Sequence, residues 1–135
     1  MKKILFFLLI ALPVYIPVSL YFLDKNYFTC PILYRRDMVV RCDDRGDGFF
    51  AASRNGRRIH EGIDLFAEVG TPVLAARSGK VVSAKQNNGM GKFVIIRHMG
   101  EFTSIYGHLS EIHVNKGDFV RQGQIIGLVD RKSVV

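Results

Sequence analysis

In the stretch RRIHEGIDLF, residues 57–66, a histidine and a carboxylate stand four positions apart around Gly62. Imidazole and carboxylate are both zinc donors, and a zinc that does chemistry takes three protein ligands and keeps a fourth position open. In a regular strand four residues cover about 13 Å, so His60 and Asp64 would share a face but not an ion. The chain must therefore bend between them, and Gly62 offers backbone freedom for that bend. Ile63 and Leu65 would then alternate with Asp64 as a strand entering the core. By itself the H-x-x-x-D spacing also fits an ordinary surface turn.

A third donor has to come from elsewhere, and the other histidines are His98, His108 and His113. The run FVIIRHMGEFTSIYGHL reads as a hairpin turning near Met99 to Glu101. On that reading His98 lies beside the turn and His108 at the far end of the returning strand, about 20 Å away. At most one of them can join His60 and Asp64, either as a ligand or as a catalytic base. His113 precedes Asn115, Lys116 and Gly117 and reads as a solvated turn residue.

The elements that must position these residues are strands. TPVLAARSGKVVSAKQ, GKFVIIRHMG and EFTSIYGHLS are short β-branched or aromatic runs separated by Gly and Asn clusters. No stretch after residue 24 keeps a 3.6-residue apolar period for three turns. Short connections make the sheet antiparallel. An internal echo points the same way: GTPV at 70–73 is followed by Gly79, and GDFV at 117–120 by Gly127. Such a duplicated sheet would also suit a biotinyl- or lipoyl-carrier domain, but no lysine here sits in the hairpin setting that such carriers modify.

The rest of the chain supplies a setting. Ile4 to Leu23 is a run of 20 residues without formal charge, preceded by Lys2 and Lys3. That length spans a hydrocarbon core of about 30 Å, and no small-residue cleavage site follows it. Residues 1–23 therefore read as an N-terminal membrane anchor or signal segment, an uncleaved anchor with a cytoplasmic N-terminus being the first choice, residues 24–47 as a linker and 48–135 as the folded domain. The domain is then expected outside the cytoplasm, where a Cys30–Cys42 disulfide could form. The formal net charge of +7 would suit anionic surroundings, but a solvated basic surface explains it more simply. Without a basic helix or an aromatic RNA-binding signature, no nucleic-acid partner is expected.

The segments GDGFFAASRNGRRIHEGIDLFAEVGTPVLAARSGKVV and IIRHMGEFTSIYGHLSEIHVNKGDFVRQGQIIGLV resemble the lysostaphin-type (LytM-type) zinc metalloendopeptidases, from about Gly48 to Val129. H-x-G-x-D, the Y-x-H-L-S turn and G-D-x-V-x-x-G-Q-x-I-G occur in that family's order. The resemblance implies a mostly β fold, an antiparallel sheet of the duplicated hybrid type. It implies cleavage of peptidoglycan peptides, with His60 and Asp64 as zinc ligands and His108 as a catalytic histidine that helps to activate water or stabilise the oxyanion. Some members of the family instead activate a partner hydrolase without zinc.

One part of the pattern is missing. The family continues through a glycine-rich turn to an H-x-H pair, which supplies the third zinc ligand and a second catalytic histidine. Here the text reads GLVDRKSVV, and no H-x-H occurs in the 135 residues. The expectation is a domain shortened before that motif, with an incomplete sheet, weak or absent zinc and impaired cleavage. The alternative is a non-catalytic wall-binding or hydrolase-activating module.

Overall fold

The computed structural model describes residues 27–33, 37–43, 46–54, 56 and 58–130. The apolar run 4–23 lies outside that set. Among the described residues there is no helix, and the paired strands are antiparallel. Two small ribbons come first: β1 (Cys42–Asp43) with β2 (Gly46–Asp47), and β3 (Ser53–Arg54) with β4 (Arg58–Ile59). The main sheet is built from β5 (Pro72–Leu74), β6 (Gly79–Asn87), β7 (Gly91–Arg97), β8 (Thr103–Ile112), β9 (Phe119–Val120) and β10 (Ile125–Val129). Its order is β5-β10-β8-β7-β6-β9.

Local chemistry sets the central meander. The Asn87 Oδ1 accepts from the N–H groups of Gly89 and Met90 at 2.9 and 2.7 Å, closing the β6–β7 turn. The β7–β8 turn falls where the sequence puts it: Gly100 and Glu101 take φ of 76° and 66°, and the His98 N–H donates to the Phe102 carbonyl at 2.8 Å. Neighbouring Phe93 and Val94 are both buried, so β7 is covered on both faces. The Lys85 ammonium lies 5.9 Å from the Phe93 ring centroid on the face away from the core. Val73, Val81, Val94, Ile96, Leu109, Ile126 and Val129 form the core, and burying a side chain of this size contributes about 1.5–3 kcal/mol.

The internal echo becomes a reciprocal exchange. β5 of the first repeat pairs with β10 of the second, and β9 of the second with β6 of the first. The register repeats too: Val73 faces Gly127 and Val120 faces Gly79. Gly70 N–H donates to Val129 O at 2.9 Å, and Gly117 N–H to Val81 O at 2.8 Å. Gly79 and Gly127 are each pressed on a neighbouring strand, since a Cβ would lie 2.4 Å from Arg97 O and 2.5 Å from Glu111 O respectively.

Residues from the stretch read as linker also pack here. Ile32 is part of the core, Leu74 N–H donates to Pro31 O, and Val40 bridges Leu65. Cys30 and Cys42 are exposed free thiols, so the disulfide is not formed. Cys30 sits beside Thr29, whose N–H is tied to Ala76 O, whereas Cys42 belongs to the β1–β2 ribbon.

Candidate functional site

His60 follows β4 and is pinned to the chain before β3. Its N–H donates to Ala52 O, and its carbonyl accepts from Ala51 N–H, each at 2.8 Å. Asp64 is anchored from the other side, donating its N–H to Gly48 O and accepting at its carbonyl from Arg41 N–H, again at 2.8 Å. Gly48 makes this approach possible: a Cβ there would lie 2.4 Å from Arg41 O and 2.8 Å from the Asp64 Cβ. The bend between His60 and Asp64 falls at Gly62, as expected. Gly62 does not take a positive φ, and Ile63 is 43% exposed while Asp64 and Leu65 are buried. The corner is held by backbone contacts to residues 41, 48 and 52, and beyond it Leu65 bridges Val40 and enters the core as expected, although Ile63 does not share that burial.

This arrangement converges two donor atoms. His60 Nδ1–H donates to the Phe49 carbonyl at 3.1 Å, which leaves Nε2 facing Asp64 Oδ1 across 3.3 Å. Two electron-pair donors at that distance are stabilised by a proton or a cation between them. Donors bound at about 2.0–2.2 Å to one tetrahedral ion stand about 3.3–3.5 Å apart, so the pair fits two zinc ligands. The carbonyl on Nδ1 is the kind of outer partner that fixes a ligating imidazole. Asp64 Oδ2 lies 3.7 Å from Arg41 Nη2. Among the described residues, however, no three His, Cys, Asp or Glu side chains gather closely enough to hold an ion.

His108 is not brought into ligand range of that pair. It sits on β8 where Lys92 pairs with Leu109 and Val94 with Tyr106, so Gly107 and His108 together oppose Phe93. This is a β-bulge, and His108 takes φ of 55°, which is costly for a residue with a Cβ. Its N–H donates to Met90 O at 2.8 Å, and among the described residues no hydrogen bond holds its ring. A bulge that re-aims a histidine at a strained backbone angle is a recurrent feature of reactive sites.

His98 has the opposite surroundings. It is buried, its Nδ1–H donates to Ser78 O at 2.9 Å, and its Nε2 lies 2.7 Å from Ser104 Oγ. Ser104 Oγ is 2.9 Å from Tyr106 Oη, which accepts the Ala76 N–H at 2.8 Å. Burial pushes the Tyr106 pKa up, against the opposing effect of its bonds to Ser104 and Ala76. His113 is exposed, beyond β8, and its Nε2 lies 3.2 Å from Glu111 Oε2.

A groove of ≈ 1000 Å³ runs past the corner, lined in part by His60, Glu61, Met90, Ser104 and Tyr106. Sequence reading missed Arg41, Gly48 and Glu61. Arg41 and Gly48 meet Asp64 only through the fold, whereas Glu61 stands beside His60 and could have been noticed for that reason.

An antiparallel duplicated sheet, with an imidazole and a carboxylate converging beside a groove, is the setting of a metallopeptidase-type domain. Residues 58–134 match the family model of Peptidase family M23, and the chain belongs to that family. It is 43% identical over 84 residues to lysostaphin of Staphylococcus staphylolyticus, covering 61% of this chain and 17% of that protein. It is 41% identical over 70 residues to the peptidoglycan DD-endopeptidase ShyC of Vibrio cholerae, covering 52% and 16%. The structure of lysostaphin from Staphylococcus simulans superposes with a TM-score of 0.52 at 36% identity, over 56% of this chain and 35% of that one. The chain thus spans about a sixth of the length of these curated relatives.

Proposed function

We propose that this chain acts on the peptides of peptidoglycan at the outer side of a membrane to which residues 4–23 anchor it. The convergence of His60 Nε2 and Asp64 Oδ1 at 3.3 Å on the wall of a peptide-sized groove carries this reading. His60 and Asp64 would hold zinc, which supplies a nucleophilic water near neutral pH and polarises a carbonyl. The groove would hold the peptide backbone extended, with Glu61 and Tyr106 beside it. His108, on its bulge behind Met90, would exchange a proton with the reacting groups or donate a hydrogen bond to a developing oxyanion.

The described residues provide two donors where a catalytic zinc takes three. We therefore propose weak zinc binding and little cleavage by residues 1–135 alone, with full activity requiring an imidazole from a partner or from sequence beyond them. Metal analysis of the protein after dialysis is expected to find well under one zinc per chain. A stoichiometric zinc that disappears in His60→Ala would overturn the weak-binding proposal.

The two-donor count also favours a second reading, a wall-binding module that activates a partner hydrolase. It predicts peptidoglycan pull-down that persists in chelator and in His108→Ala. Chelator-sensitive release of muropeptides, lost in His108→Ala, would decide for the enzyme.

A further inference from the structure

β8 leaves half of one edge uncovered. On one side it pairs with β7 from Thr103 to Leu109, and on the other β10 covers it only from Leu109 to Ile112. That cover ends where Asp130 N–H donates to His108 O at 3.1 Å. Because His98 N–H donates to Phe102 O, the alternation of an antiparallel ladder turns the backbone groups of Ser104 and Tyr106 toward β7. Those of Thr103 and Ile105 point away from it, and among the described residues they have no hydrogen-bond partner.

A second open edge borders the same groove. Leu65 bridges Val40, with Arg41 N–H donating to Asp64 O and Phe66 N–H to Val39 O, each at 2.8 Å. This pattern turns the N–H and C=O of Leu65 away from residues 39–41, again without a partner among the described residues. Leu65 is 5% exposed, and a backbone group so buried is nearly always paired. Leu65 and the four consecutive residues 103–106 line the groove that passes His60. A groove lying on one face of β8 would be lined by alternate residues, so the consecutive lining shows that it runs along the strand's edge.

N–H and C=O groups spaced as on a strand are matched by another extended backbone, whatever side chains it carries. We propose that the groove takes its peptide as an added strand, hydrogen-bonded to Thr103 and Ile105 of β8 and to Leu65. The ligand is then recognised by its main-chain amides, and it lies alongside the His60–Asp64 pair. This rests on the reading of the groove as a peptide site, but it needs neither zinc nor cleavage.

The test uses the full chain in a non-ionic detergent, with backbone amides followed by NMR and N-acetyl-pentaalanine amide as the probe. Binding is expected to shift the N–H signals of Thr103, Ile105 and Leu65 by more than those of Ser104 and Tyr106, which already bond to β7. The same peptide methylated at every amide nitrogen keeps its carbonyls and side chains. It should bind about tenfold more weakly, the scale of two main-chain hydrogen bonds. Ile105→Pro removes the outward N–H, leaves the β7 ladder intact and should abolish binding. Ile105→Ala, which keeps the backbone, should bind as the wild type does. If Ile105→Pro does not fold, the methylated peptide decides on wild-type protein alone. Equal binding of the two peptides, binding of neither, signals that move alike at neighbouring residues, or a folded Ile105→Pro protein that still binds overturns the proposal. Self-association that engages the same three amides and excludes the peptide overturns the peptide assignment in favour of a second copy. Binding that survives in chelator with His60→Ala stands even if cleavage is never found. Cleavage that persists undiminished in Ile105→Pro defeats this inference alone.

Discussion

At the turn end of the β7–β8 hairpin His98 is 5% exposed, with both ring nitrogens in hydrogen bonds. At the other end His108 is half-buried on a bulge, at a positive φ, with its ring unheld by any described residue. One strand pair thus carries two imidazoles in opposite surroundings. The first closes a polar path through Ser104 and Tyr106 to the Ala76 N–H and contributes to the fold. The second is kept in a strained backbone conformation, which fits a residue kept for chemistry rather than for stability. Residue type alone therefore says little about a histidine, and its hydrogen bonds and backbone angle say more.

The sharpest way to break this contrast is through the glycine beside each ring. A Cβ on Gly79 would lie 2.4 Å from Arg97 O and 2.8 Å from His98 Nδ1, whereas one on Gly91 would come no closer to His108 than 3.9 Å. Gly79→Ala should cost about 3 kcal/mol in urea unfolding, because backbone must move. Gly91→Ala should cost about 1 kcal/mol, from its φ of 63° alone. Equal losses would mean that the two ends are packed alike.

A smaller effect tests the polar path. Tyr106→Phe leaves the buried Ala76 N–H without its acceptor and should destabilise by about 1–2 kcal/mol. The same variant has a pH signature. Burial raises the folded-state pKa of Tyr106 above 10.0, so the neutral phenol is favoured in the fold. The stability this represents is complete below the unfolded pKa and is lost as pH rises through the folded one. Wild-type protein should therefore lose stability above about pH 10 more steeply than Tyr106→Phe. Parallel pH profiles would remove Tyr106 from the account.

The smallest expected change has the opposite sign. His108→Gly relieves the positive φ and should raise stability by up to about 1 kcal/mol while removing whatever the imidazole does to peptides. A loss of stability would show that His108 is a structural residue after all.

These contrasts were only partly visible in the residues. The turn at Met99 to Glu101 and the separation of His98 from His108 follow from strand length and turn chemistry, which are local. The repeat of Gly70 and Gly79 in Gly117 and Gly127 was visible as well, but not that each repeat lends a strand to the other. Pairing between distant segments leaves no local trace. The His60–Asp64 corner was found by spacing, with its bend at Gly62, but only part of its support was legible. Gly62 makes the bend, and the contacts from Arg41, Gly48 and Ala52 that hold the two ends come from segments distant in sequence. The bulge at His108 was equally hidden, because an extra residue is defined only by the strand opposite.

The exchange of strands between the two repeats also has a consequence for how the domain comes into being. Val73 cannot find its partner Gly127 until the second repeat has been synthesised, while the β6–β7–β8 meander can assemble earlier from neighbouring residues. Such long-range closure slows folding, since loop entropy is lost before the distant contacts form. While the ribosome is still making the second repeat, β5 offers an open edge to any strand nearby, the moment when such a chain is most exposed to misassembly.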